Sequence, residues 1–248
     1  MLRTTFILGV GFFLNLASFS TFANEHLLKH VQAVGQTMSA LYMTSLSHGS
    51  NKYKRDMEFY KQAAQESLAQ YVTSQGKGHE ALQKAWNTIQ SDIKLEYSET
   101  YEWDPDEALR RDFRQYQSNA YQLVSEQMAD YKQAPLSVLL AAAQAETLIA
   151  RFFDVTTSYN GTISLSPIDA EKVDPKTISQ QFDASLTQLI KNTQDNGLKK
   201  QIESALYKWK FIEESVVNYS DASAHFLVYA TKNKIHQVLS QNRLVSVN

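Results

Sequence analysis

The sequence predicts an all-α protein: an antiparallel helical bundle made of two tandem four-helix units. Three observations lead there. Glycine (8) and proline (4) are scarce for 248 residues, and strands need such residues at their turns. Apolar residues recur at alternating steps of four and three through most of the chain, which is the period of a helix with one buried face. Three separate sequence features also recur in the same order in both halves.

The first element is a leader. In MLRTTFILGVGFFLNLASFSTFA, Arg3 supplies a positive start, Phe6 to Phe19 an apolar stretch, and Thr21 and Ala23 a small-x-small cleavage signal. This is the pattern of a secretory signal peptide over residues 1–23, cleaved near Ala23, and it predicts a periplasmic protein that is not integral to the membrane after cleavage. Without Arg3 there remain 23 basic and 26 acidic side chains, a net charge of −3. That balance offers no footprint for nucleic acid. The chain has no cysteine, which excludes disulfides and thiol catalysis.

Eight helices are expected, near 26–47, 51–74, 78–98, 105–132, 136–157, 175–194, 196–217 and 219–242. Leu27, Val31, Val34, Met38 and Leu41 make the stripe of the first; Leu82, Trp86, Ile89 and Ile93 that of the third; Leu198, Ile202, Ala205, Trp209, Ile212 and Val216 that of the seventh. In WDPDE, Asp104 is the expected N-cap, with Pro105 at the first helical position and Glu107 at the third; Asp174-Pro175 repeats the motif. Ser158 to Pro175 is the expected non-helical segment. Gly35 alone among the glycines of the mature chain falls inside a helix. There it costs about 1 kcal/mol relative to alanine, so a neighbouring helix is expected to pass close by.

The repeat sets the domain boundaries at 24–135 and 136–248. LLKHVQAVGQTMSALYMTSLSHG from Leu27 resembles LLAAAQAETLIARFFDVTTSYNG from Leu139. Ser67-Leu68 and Ser185-Leu186 each precede a glycine turn and then a tryptophan, Trp86 or Trp209, expected in the core. Tyr116 and Tyr219 each open a segment containing Leu-Val. The first half carries an extra segment near SETYEWDPDEALRR.

This pattern resembles the type IV pilus methyl-accepting chemotaxis transducer N-terminal domain, the PilJ-type or NarX-like periplasmic helical sensor. Val34-Gly35 matches the Ala-Gly of that family's first helix, Met38 and Met43 its methionine spacing, and FDASLTQLI with LYKWKFIEES its later phrases. The resemblance implies four-helix bundles, often in tandem, and a sensory or ligand-binding role with Gly35, Thr37, Met38 and Tyr42 at the ligand. Where the family has arginines this chain has Thr37 and Tyr42. They offer hydroxyls but no fixed charge, so nitrate recognition by arginine forks is not expected. The chain ends at Asn248 soon after its last helix, so the expectation is a module without its own membrane span or output domain, signalling to a separate partner.

No enzyme motif, cofactor or metal centre is assigned. His26 and His30, four apart, are expected to be solvated. His225 and His236 have no evident ligand set. The tyrosines are expected at the bundle rim with wet hydroxyls. Cleavage after Ala23 would free Asn24-Glu25-His26, whose four nitrogens suit Cu(II) or Ni(II). The partner is either a small ligand or, in the alternative reading, an envelope protein engaged by a structural adaptor through a helix face.

Overall fold

The computed structural model describes residues 5–74, 76, 78–93, 96–99, 102–132, 134–157, 174–219 and 222–240; at 5–21, 130, 132, 134, 135 and 222 it describes the backbone alone. The chain is all-helical, an antiparallel bundle. Among the described residues there are eight α-helices: α1 (Thr5–Leu46), α2 (Asn51–Thr73), α3 (His79–Asp92), α4 (Glu107–Glu126), α5 (Ala134–Thr156), α6 (Pro175–Asn192), α7 (Asn196–Asn218) and α8 (His225–Leu239). Short 3-10 turns lie at Met128–Lys132 and Ala222–Ala224. The expected non-helical segment from Ser158 falls outside the described residues up to 173.

Helix ends follow local chemistry, with one correction. Asp174 caps α6, its carboxylate accepting from the N–H groups of Lys176 and Thr177, with Pro175 at the first position as expected. At α4 the cap is Asp106, not Asp104. The Asp106 side chain accepts from the Leu109 N–H at 2.8 Å and the helix starts at Glu107. Asp104 is diverted elsewhere: it accepts from the Ser45 hydroxyl and faces Arg110. Two other expected spans are too long: α3 ends at Asp92 and α8 starts at His225.

α1 touches α2 and α4, α2 touches α3, and α3 touches α4; α5, α6, α7 and α8 make the matching circuit. Between the circuits α1 packs on α5, with smaller contacts of α4 on α5 and α8 on α1. Within each circuit the helices run antiparallel, as the pairs His30–Ala64 and Thr156–His225 fix. α1 and α5 instead run parallel, since Gly35 meets Glu146 and Tyr42 meets Asp154 further along both.

This central position explains why α1 and α5 lack a wet face. From Ala33 to Met43 nearly every side chain of α1 is buried, and so is almost all of α5. α5 is long and apolar enough to cross a membrane, yet 89% of that stretch is buried inside the bundle. Trp86 and Trp209 are both fully buried, one against His30 and Tyr116, the other edge-on to Phe182. Buried hydroxyls turn back to their own helices: Thr37 donates to the Ala33 carbonyl, Ser39 to that of Gly35 and Thr147 to that of Ala143. They are satisfied without claiming space between helices.

Gly35 is where that space is smallest. A Cβ there would lie 2.7 Å from the Glu146 carbonyl oxygen and 2.9 Å from its carbonyl carbon. Both are backbone atoms, which cannot turn aside. Gly35→Ala is therefore expected to lower stability by about 1–3 kcal/mol through overpacking, although alanine gains about 1 kcal/mol of helix propensity. Urea unfolding of both chains checks this; an alanine variant as stable as the parent would refute the close approach.

Candidate functional site

The extra segment of the first half folds over the turn between α1 and α2. Ser98 and Glu102 exchange backbone hydrogen bonds of 2.7 Å. Trp103 lies against Gly49, whose φ of +82° and missing Cβ leave room for the indole, and the Lys54 ammonium sits 3.5 Å from the ring centroid. Asp104 and Arg110 lead from this cap into the interior.

There Asp154 of α5, 1% exposed, gathers three partners. The Tyr42 hydroxyl donates to it at 2.7 Å and an Arg114 N–H at 3.2 Å, while Arg110 Nη1 lies 3.7 Å away. The Arg110 guanidinium also covers the Tyr42 ring at 4.7 Å. Burial, reinforced by the Asp154 charge, raises the Tyr42 hydroxyl well above its ordinary range. It stays a neutral donor. Both arginines come from α4.

A second polar system lies along α8. Its inward residues His225, Tyr229, Lys232 and His236 step by four, three and four, the period normally given to apolar side chains. Each ends on another helix. The His225 ring N–H donates to Thr156 Oγ1 of α5 at 2.7 Å, because that hydroxyl's own proton goes to the Phe152 carbonyl. The Tyr229 hydroxyl donates to Asp56 of α2 at 3.2 Å. Lys232 pairs with Glu146 of α5 at 3.1 Å, the lysine side chain fully buried and the glutamate 3% exposed. Gln32 and Gln36 of α1 donate to His236 Nδ1 at 2.7 and 3.2 Å. The Tyr229 and Tyr60 rings stand 5.0 and 5.5 Å from the Lys232 ammonium. Burial, with Glu146 and Asp56 nearby, pushes Tyr60 up to about 12. Burial moves His236 the other way, below its ordinary value; Glu146 opposes that shift and Lys232 adds to it. Beside Glu146, Lys232 and His236, a recess between α5 and α8, also lined by Ala142, Ala145 and Ile149, has room for about one water.

The residues singled out by resemblance sit differently. Gly35 faces the Glu146 backbone, Thr37 and Met38 are fully buried, and Tyr42 belongs to the Asp154 cluster; none of the four lines that recess. His30 corrects the expectation of a solvated pair. It is wholly buried, its Nδ1–H donating to the Ala64 carbonyl at 2.8 Å and its Nε2 accepting from the Tyr116 hydroxyl at 2.6 Å. The wet-hydroxyl expectation fails likewise at Tyr42, Tyr116 and Tyr229, whose hydroxyls bond inside the protein. Asn24, Glu25 and His26 lie within the continuous α1. Among the described residues no three His, Asp or Glu side chains converge as a metal set. Sequence reasoning missed Glu146, Asp154, Arg110, Arg114 and Lys232. A signal existed for α8, since its polar stripe keeps register with Val228, Ile235 and Leu239.

No protein-family model, curated protein or solved structure matches this chain.

Two predictions follow from these contacts. Burial depresses His30 to about 4 in the fold, against about 6.5 unfolded. The unfolded state then binds more protons between those values, so stability is complete above about pH 6.5 and falls as pH drops towards 4. The loss amounts to about 3 kcal/mol for this group; chemical unfolding across that range should show it, and a flat profile would contradict it. Removing one partner of the Glu146–Lys232 pair strands a buried charge, so Lys232→Met is expected to cost about 3–5 kcal/mol, and adding Glu146→Leu should restore most of it. A double-mutant cycle in urea reads the coupling.

Proposed function

We propose that this protein is an exported sensory or ligand-binding accessory module of the helical-bundle kind, as the likeness of its first helix to the PilJ-type and NarX-like sensors suggests, built from two tandem four-helix units. One observation carries the reading. α8 is docked through four polar contacts to three other helices, where an apolar stripe would dock it more cheaply. A buried polar contact is an exchangeable one: a ligand or partner that supplies the same hydrogen bonds competes with it, and α8 then shifts between two packings. The parallel pairing of α1 with α5 supports the duplication, because Leu27 and Leu139 start segments that lie side by side. The signal leaves through a separate envelope protein that reads the position of α8.

The alternative, an adaptor without a small ligand, draws on α7. Tyr207 and Phe211, one turn apart, are 79% and 65% exposed, a placement usual for aromatic anchors at interfaces.

A thermal-shift panel of small anions, amino acids and metabolites, nitrate included, separates the two. A saturable rise in melting temperature, lost in His236→Gln, is the outcome expected of the sensor. No shift with any compound, together with envelope cross-links that vanish in a Tyr207→Ser, Phe211→Ser variant, would replace it with the adaptor.

A further inference from the structure

We propose that α8 is a proton-released latch: acidification detaches its C-terminal half from α1 while the rest of the bundle stays folded.

The contacts at His236 set the direction. Nδ1 accepts from two amide groups, those of Gln32 and Gln36. A proton placed on Nδ1 turns this acceptor into a donor facing donors, and both bonds break unless the amides turn over. The new charge also enters an occupied neighbourhood. α8 itself contributes the Lys232 ammonium, α5 the Glu146 carboxylate, α1 only the two neutral amides, and α2 the Tyr60 phenol with Asp56 bonded to Tyr229. Glu146 already neutralises Lys232, so protonated His236, itself only partly exposed, leaves two cations on one carboxylate. A buried charge without a partner costs several kcal/mol. The direct remedy is to move the ring into water. The ring borders the small recess on its α5 side, beside Glu146 and Lys232.

Release stays local for geometric reasons. His236 lies in the last turn of α8, and α8 has only a small contact with α1, whereas α1 and α5 are held along their lengths. His30 responds to acid as well, but it ties α1, α2 and α4, so its effect falls on the first circuit.

The size of the effect follows from linkage. In the released state the imidazole titrates near 6.5, so on going to about pH 5 the population with α8 open rises by up to about 30-fold if the docked ring stays neutral.

Hydrogen exchange of the full chain at about pH 7.5 and about pH 5, corrected for intrinsic rates, tests this. Protection along 232–239 is expected to fall at least about tenfold, and His236→Gln should remove most of that fall while the loss that His30 imposes on α1 persists. Unchanged protection in α8, or the same loss in His236→Gln, would each overturn the proposal. If that variant does not fold, the parent chain at about pH 5 decides: α8 is then expected to be less protected than α5, and equal protection of the two would overturn the proposal. The proposal rests on α8 being the moving element. Ligand-driven movement of α8 without an acid response would leave the sensory reading standing and remove this one.

Discussion

Where Gly35 passes Glu146, the backbones of α1 and α5 lie so near that no side-chain carbon fits between them. Two helices that close cannot slide, so their register is fixed. Their parallel course then dictates the arrangement around them, because each is already covered on one side by the other. The remaining helices close a circuit on the far side of each. Buried hydroxyls on both helices bond to their own carbonyls, which keeps the seam thin. The same proximity has an electrostatic result. With its backbone pressed against α1, Glu146 cannot send its carboxylate to water, and Lys232 has to come to it.

α5 therefore carries two buried carboxylates, Glu146 and Asp154, neutralised from opposite sides. Asp154 takes its arginines from α4 and its hydroxyl from α1, in the first half of the chain; Glu146 takes its lysine from α8, in the second. Each pair costs desolvation that an apolar pair would not. In exchange each admits one register only: a helix displaced by a turn leaves a charge alone in the core. Asp154 is further tied to the surface cap, because Arg110 also faces Asp104, which Ser45 holds beside the Trp103 turn. A disturbance at the cap reaches the centre of the bundle through two side chains.

The helices were legible in the sequence because the 3/4 apolar stripes coincide with buried faces. Trp86, Trp209 and Gly35 were legible for the same reason: packing leaves a local mark, a large residue in register or a glycine out of place. The cap of α4 was misread because Asp104 and Asp106 flank the same proline, and only the pull of Ser45 and Arg110 on Asp104 decides between them. The charged core was hidden for a different reason. Glu146 and Asp154 look like the polar face of an amphipathic helix, and α5 has no such face, a fact that depends on its being enclosed by partners from both halves. His30 was misjudged likewise, since its partners, Ala64 and Tyr116, lie 34 and 86 residues away. The polar stripe of α8 is the exception. It is periodic, and a reading that looks for buried polar stripes as well as apolar ones would find it.

The composition of α5 has a consequence for the chain before it folds. A stretch this apolar is one that a membrane-insertion apparatus would admit as a span. Glu146, however, stands at the middle of Leu136–Thr156, with Arg151 and Asp154 following. A charged residue at the centre of a candidate span costs about 2.5–3.5 kcal/mol on the scale such machinery applies. That is enough to cancel the contribution of several leucines. The carboxylate that fixes the register of the finished bundle thus also weighs against lodging the nascent helix in a bilayer.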